Sequence, residues 1–327
     1  MRPIPSIRRR LVLTLALCAM GAAPVVGNAA YPEQPIKMVV AYAAGGGTDL
    51  VARVMAQHLQ KQLGKSSIVV LNRPGAGGGI GFTEISNAQP DGYTIGFLNT
   101  PNVLSIPIER KSSFHWQNYD LLGNIVDDPG NFSVHSESPI KSLAELVTYA
   151  KANPGAVTYG TTGIGSDDHL AALMFERAAG VQMTHVPFKG AAEVRTGIQS
   201  KQIMVAAINI GEALQYQKGG TPLRNLGQMS EQRSELAPDL PTFKEQGFNI
   251  VMASLRGVAA PKGLPPEVRD RLVEAVKKVA ADPEFQAAAK GYFAPLRYLD
   301  PTAYAAELKE GEATFKQVWQ ATPWTDK

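Results

Sequence analysis

Two stretches of the chain share one design, a strand that runs into a glycine-rich turn opening an amphipathic helix. The first is residues 37–63, with Ala43-Ala44-Gly45-Gly46-Gly47-Thr48-Asp49 at the turn. The second is residues 157–180, with Thr161-Thr162-Gly163-Ile164-Gly165-Ser166-Asp167 in the same place. A helix begins with backbone N–H groups that lack intrahelical partners and with a partial positive charge. Glycines ahead of it let a ligand approach the backbone closely. Each such end is a ready anion site. Two of them facing each other across a cleft would hold a small molecule with a carboxylate at each end.

The rest of the pattern extends this unit. Residues 36–42, 67–71, 93–98, 121–126, 157–160, 204–210, 223–229 and 251–259 read as strands. Helical spacing of apolar residues follows several of them, as with Ala52, Met55, Ala56, Leu59 and Leu63. Ser142 with Glu145 is a capping box that predicts a helix over 143–151. His185-Val186-Pro187-Phe188-Lys189-Gly190-Ala191 is a third strand-to-helix transition. Alternation of this kind predicts an α/β fold with mainly parallel sheet. At 327 residues the chain can form two cores. Asp127-Asp128-Pro129-Gly130 is turn-rich and is the expected first crossing between them.

The first thirty residues differ in character. Arg2 and Arg8-Arg9-Arg10 precede an apolar run over 11–23, and small residues follow around Gly27-Asn28-Ala29-Ala30, the order of a removable secretory leader. The run is too short to cross a bilayer, which needs about 20 residues. The consecutive arginines fit either general or twin-arginine export. Removing residues 1–30 also removes four arginines and no acids, leaving 28 basic against 29 acidic residues. No basic run interleaved with aromatics remains, which argues against a nucleic-acid partner. The single cysteine, Cys18, lies in the leader, so thiol catalysis and disulfides are not expected of the mature chain.

Further motifs run in order along the chain. They are Pro35-Ile36-Lys37-Met38-Val39-Val40 leading to Gly45-Gly46-Gly47-Thr48-Asp49, then Asn72-Arg73-Pro74-Gly75-Ala76-Gly77-Gly78 and Pro90-Asp91-Gly92-Tyr93-Thr94. Gly163-Ile164-Gly165-Ser166 with His169-Leu170, His185 to Gly190, Pro241-Thr242 with Glu245-Gln246-Gly247, and Ala260-Pro261-Lys262-Gly263 complete them. Together they resemble the Bug-type solute-binding proteins of tripartite tricarboxylate transporters, across essentially the whole mature chain. The resemblance implies a two-lobed periplasmic binding protein of the Venus-flytrap, type II-like kind, with a hinge between lobes. Residues 31–128 with 252–327 would form lobe 1, and 129–251 lobe 2. It implies a periplasmic monomer that binds a small organic acid and meets integral-membrane transporter subunits or, alternatively, a membrane sensor.

Candidate ligand contacts are Tyr42, Gly46, Gly47, Thr48 and Asp49 at the first turn, with Thr100 further on. Thr161, Thr162, Gly165, Ser166 and Asp167 belong to the second turn, Ala191 to the third transition and Asn209 to a strand end. Ala41 stands where the family usually has proline, and Asp167-Asp168 where small hydroxyl or neutral residues are common. A first-turn aspartate suits the helix dipole but competes with an anionic ligand; one facing the cleft would receive an amine or a hydroxyl. No cofactor or metal is expected. Asp167, Asp168 and His169 point different ways on a helix, and no other His or Cys cluster joins them. A serine hydrolase using Ser166 with His169 or His185 is a rival reading, but the Gly-x-Ser-x-Gly elbow is missing.

Overall fold

Runs of valine, isoleucine and leucine bounded by glycine and proline make strands that bury both faces, as a helix-covered parallel sheet requires. The computed structural model describes residues 31–64, 66–321 and 323–325. The expected leader lies outside the described residues. Strand β1 (Ile36–Val40) pairs in parallel with β2 (Ile68–Asn72) and β3 (Thr94–Asn99). Helix α1 (Gly47–Leu63) follows β1 and ends at Gly64, whose φ of 103° stops the helix. Helices α2 (Gly79–Ser86) and α3 (Asn102–Glu109) flank β3. The motifs do not announce α3, because Pro101 and Pro107 punctuate that stretch.

The central element is β4 (Tyr119–His135), a strand of 17 residues. Its first part, Tyr119 to Pro129, runs antiparallel to β9 (Ala253–Pro261), which in turn pairs with β3. From Gly130 onward it pairs with β7 (Val205–Asn209) and, from Asn131, with β8 (Leu223–Gln228). The turn expected at Asp127–Gly130 is therefore unbroken strand. Pro129 pairs with Ala253, the first residue of β9, and Gly130 with Asn209, the last of β7. Pro129, which has no amide to donate, thus falls where β4 changes partners.

Beyond β7 lie β5 (Thr158–Thr161) and β6 (Thr184–Pro187), both parallel, giving the order β2-β1-β3-β9-β4-β7-β5-β6. Helices α4 (Leu143–Ala152), α5 (Asp167–Ala179), α6 (Ala191–Gln199) and α7 (Ile210–Lys218) connect this half. Helices α8 (Pro266–Ala281) and α9 (Pro283–Gly291), strand β10 (Leu296–Leu299) and helix α10 (Pro301–Ala321) complete the chain, β10 pairing with β4.

Two lobes result. One core gathers Val39, Phe97, Ile125, Val258 and Tyr304. The other half has two clusters, around Phe132, Phe175 and Phe243 and around Val194, Ile208 and Tyr216. The tail does not keep to lobe 1 as the sequence division expected. Tyr304 and Leu308 of α10 are buried in the first core, Phe315 touches both, and Trp324 is fully buried in the second. No helix among the described residues is long and apolar enough to cross a membrane.

Candidate functional site

The first turn leaves β1 and is set by Asp49. Its Oδ2 accepts from Gly45 N at 2.9 Å, where Gly45 has φ +83°, and its Oδ1 accepts from Asn72 Nδ2 at 2.9 Å and Arg53 Nη2 at 2.8 Å. Burial raises the Asp49 carboxyl, but the bonds from Arg53, Gly45 and Asn72 outweigh it and hold the group below the usual range. Asp49 is thus a brace behind the turn, not part of the cleft wall. The N-cap is Gly46, which supplies no side-chain cap and leaves the helix start bare. The Gly47 N–H instead reaches across the cleft to Glu212 Oε1 at 2.9 Å.

The second turn repeats this plan with different side chains. Gly165, φ +72°, donates its N–H to His169 Nδ1 at 3.1 Å. That bond requires an unprotonated Nδ1, and burial together with the neighbouring His185 holds the His169 imidazole down to about 3. The two rings stack with centroids 4.0 Å apart. Ser166 Oγ caps α5 by accepting from His169 N at 3.2 Å and is fully buried. Asp168 Oδ2 accepts from Thr162 Oγ1 at 2.8 Å, while Asp167 Oδ2 accepts from Asn209 Nδ2 at 2.7 Å.

The two turns meet at one small cavity between the lobes, with room for about one water molecule (about 20 Å³). Tyr42, Gly46, Gly47, Thr48, Thr162, Asp167, Ala191 and Asn209 line it, all among the residues expected from sequence. Thr100, Thr161, Gly165 and Ser166 join Asp49 outside the wall. Thr100 Oγ1 is fixed to Leu255 N at 2.9 Å and Thr161 Oγ1 to His185 Nε2 at 2.6 Å. The Gly165 carbonyl accepts from Ser105 Oγ at 2.6 Å, a bond between lobes, and Ser166 is spent as the helix cap. Because its hydroxyl caps α5 through a backbone amide, Ser166 is not set up as a nucleophile.

Asn99, Glu212, Ser254 and Arg256 also line the cavity and escaped sequence reasoning. Arg256 was legible in principle, because a charge inside the apolar run Leu255 to Ala260 must be paired if the strand is buried. It is 2% exposed, and its Nη2 donates to Asp128 Oδ2 at 3.0 Å and Asn209 Oδ1 at 2.9 Å, with Glu212 Oε1 at 3.5 Å. Burial opposes the Arg256 charge, but Glu212, Asp128, Asp167 and Asp168 more than restore it.

The carboxylates are the costly members. Burial pushes Asp128 up to about 7 despite Arg256, and Asp167 up to about 6 despite Asn209 and Arg256. Burial and then the adjacent Asp167 push Asp168 well above the usual carboxylate range. Burial, then Asp167, raises the Tyr42 phenol well above its ordinary value. The lobes are shut on this cluster. A Cβ on Gly47 would run into Arg256 Nη1 and lie 2.7 Å from Glu212 Oε1, so any larger residue must displace the buried ion cluster.

Two α/β lobes, joined through long strands and closed over a buried polar cavity, define a solute-binding fold. The sequence model described as "Tripartite tricarboxylate transporter family receptor" (TctC) matches residues 51–297. A UPF0065 protein of Cupriavidus necator is 34% identical over 302 residues, 90% of each chain. Among solved structures, the periplasmic binding protein BugD aligns with a TM-score of 0.83 at 31% identity, over 91% of this chain and 100% of that one. R. palustris Rpa4515 with adipate aligns at 0.83 and 26% identity, over 89% and 97%. The chain belongs to the TctC receptor family, the Bug-type receptors of tripartite tricarboxylate transporters.

Proposed function

We propose that the protein is an extracytoplasmic solute-binding protein that captures a small carboxylate-bearing solute by closing its lobes and delivers it to the membrane subunits of a tripartite tricarboxylate transporter. The observation that carries this reading is the convergence of helix starts from opposite lobes, α1 from one and α5 and α6 from the other, on a single buried cavity. Amides at Gly46, Gly47, Thr48 and Ala191 and the carboxamide of Asn209 are the proposed contacts, Gly47 N–H exchanging Glu212 and Asn209 Nδ2 exchanging Asp167 for the solute. Residues 31–128 with those from 252 would move as one lobe and 129–251 as the other, with the end of α10 spanning both. The adipate-bound relative supports a carboxylate as ligand. Contacts drawn from both lobes favour the closed state, which is all that capture requires; no covalent step enters.

The test is thermal unfolding of protein without residues 1–30, refolded free of carried solute, against di- and tricarboxylates, aromatic carboxylates, amino acids and uncharged analogues. A ligand at a hundred times its Kd stabilises by about 2.7 kcal/mol. A saturable upward shift confined to carboxylate-bearing compounds is expected. Shifts with uncharged analogues alone would overturn the reading.

A further inference from the structure

Two anion sites alone do not account for the wall of this cavity. Glu212 is 6% exposed, lines the cavity, and its Oε2 is buried without a hydrogen-bond partner. Asn99, 4% exposed on the same wall, leaves its Oδ1 unpartnered as well, its amide being given to Thr48 Oγ1 at 2.8 Å. Asp167 adds a second carboxylate to the wall. The donors nearby are committed: Gly47 N to Glu212 Oε1, Asn209 Nδ2 to Asp167 and the Asp128 carbonyl, Arg256 Nη2 to Asp128 and Asn209. Among the buried side-chain atoms of this wall without a partner, two are acceptors, Glu212 Oε2 and Asn99 Oδ1, and one is a donor, Arg256 Nε.

The charge inventory points the same way. Asp128, Asp167, Asp168 and Glu212 are buried around the single guanidinium of Arg256. A dicarboxylate would bring two further negative charges into that low-dielectric cluster, where like charges repel strongly. A cationic donor would instead satisfy Glu212 Oε2. Resting on the capture reading above, we infer that the solute carries a protonated amine seated against Glu212 and Asp167 beside its carboxylate, and so is an amino acid, not a simple di- or tricarboxylate. Its carboxylate would take the remaining Arg256 Nε–H and the Thr48 amide at the start of α1.

Calorimetric titration of the refolded, solute-free protein tests this with matched pairs, each common amino acid beside its desamino acid (aspartate with succinate, glutamate with glutarate), and putrescine as an amine without a carboxylate. At least one amino acid should bind saturably and exceed its desamino partner by at least about 30-fold, the scale of breaking a buried charge pair. Glu212→Gln, checked for cooperative unfolding without solute, should cut that affinity by a similar factor and narrow the ratio within the pair. A desamino acid that binds as tightly as its amino acid overturns the amine seat and leaves carboxylate capture standing. Binding of putrescine alone keeps the amine seat and overturns capture of a carboxylate. Silence across the whole panel overturns the amino-acid assignment, and carboxylate capture then stands or falls on the tricarboxylates and aromatic carboxylates of the thermal-unfolding panel.

Discussion

The two glycine turns began as copies of one design and end as different devices. In both, the third helical residue reaches back to the amide two places before the first turn: Asp49 to Gly45, and His169 to Gly165. At α1 that brace is a carboxylate neutralised by Arg53 and hydrogen-bonded by Asn72, and the Gly47 N–H at the helix start donates to Glu212 of the facing lobe. At α5 the brace is a neutral imidazole, and the first two helical positions carry the buried carboxylates of Asp167 and Asp168. One turn meets a carboxylate from the facing lobe, while the other carries two acids of its own. Identical backbone geometry therefore says little about the charge a site will accept.

The comparison breaks most visibly at Arg256, the cation that tolerates the acidic turn. Arg256→Ala should lower stability by about 3–5 kcal/mol, the cost of stranding a buried charge, read as a shifted midpoint in urea unfolding. A loss below about 1 kcal/mol would mean the carboxylates around it are already neutral.

A smaller effect follows from the acids themselves. With Asp128 near 7 and Asp167 near 6, the folded chain keeps protons that ordinary aspartates, about 3.9, have released. Stability contributed by these groups is present below about pH 4 and is lost as pH climbs through the folded values. His169, held down to about 3, acts in the opposite sense, since the unfolded imidazole takes up a proton below about 6.5. Three raised carboxylates outnumber that one ring, so the thermal midpoint should be higher near pH 5.5 than near pH 8. Asp168→Asn keeps the acceptor for Thr162 and removes the charge. It should raise stability at about pH 8 by about 1–3 kcal/mol and flatten the slope between the two pH values.

The smallest change sharpens the contrast from the other side. Asp49→Asn should cost about 1 kcal/mol through the Arg53 pair and the Gly45 brace. Solute affinity in calorimetry should stay within about 2-fold, because the side chain lies outside the wall. A larger drop in affinity would put Asp49 back among the ligand contacts.

Helix starts were legible because glycine, cap and apolar period all lie within a few residues of one another. That is why the wall residues at 42, 46, 47, 48, 162, 167, 191 and 209 could be picked from the sequence. The misses sit elsewhere. Asn99 and Arg256 face each other as cross-strand partners of β3 and β9, and Ser254 opposes Asp128 across β4. Residues more than a hundred positions apart meet there through strand register, which no local pattern encodes. Asp49 and Asp167 show the same limit in side-chain direction. Both lie in the first turn of a helix, and Asn72 and Arg53 turn one away while Asn209 draws the other in.

Helix α10 has a consequence for time as well as for energy. Glu312 accepts from Trp116 Nε1 at 2.7 Å and holds the helix to lobe 1, while Trp324 beyond its end is sunk in lobe 2. A helix fastened at both ends behaves as a spring clip. On the proposed capture by lobe closure, opening the mouth would flex the clip or draw the indole from its seat, and solute entry would wait for that event. Stopped-flow association should then saturate with solute concentration and fall below the usual 10⁵–10⁷ M⁻¹s⁻¹, roughly the range for ungated docking. Trp324→Ala should speed it, turning a slow, retentive trap into a quick and leaky one.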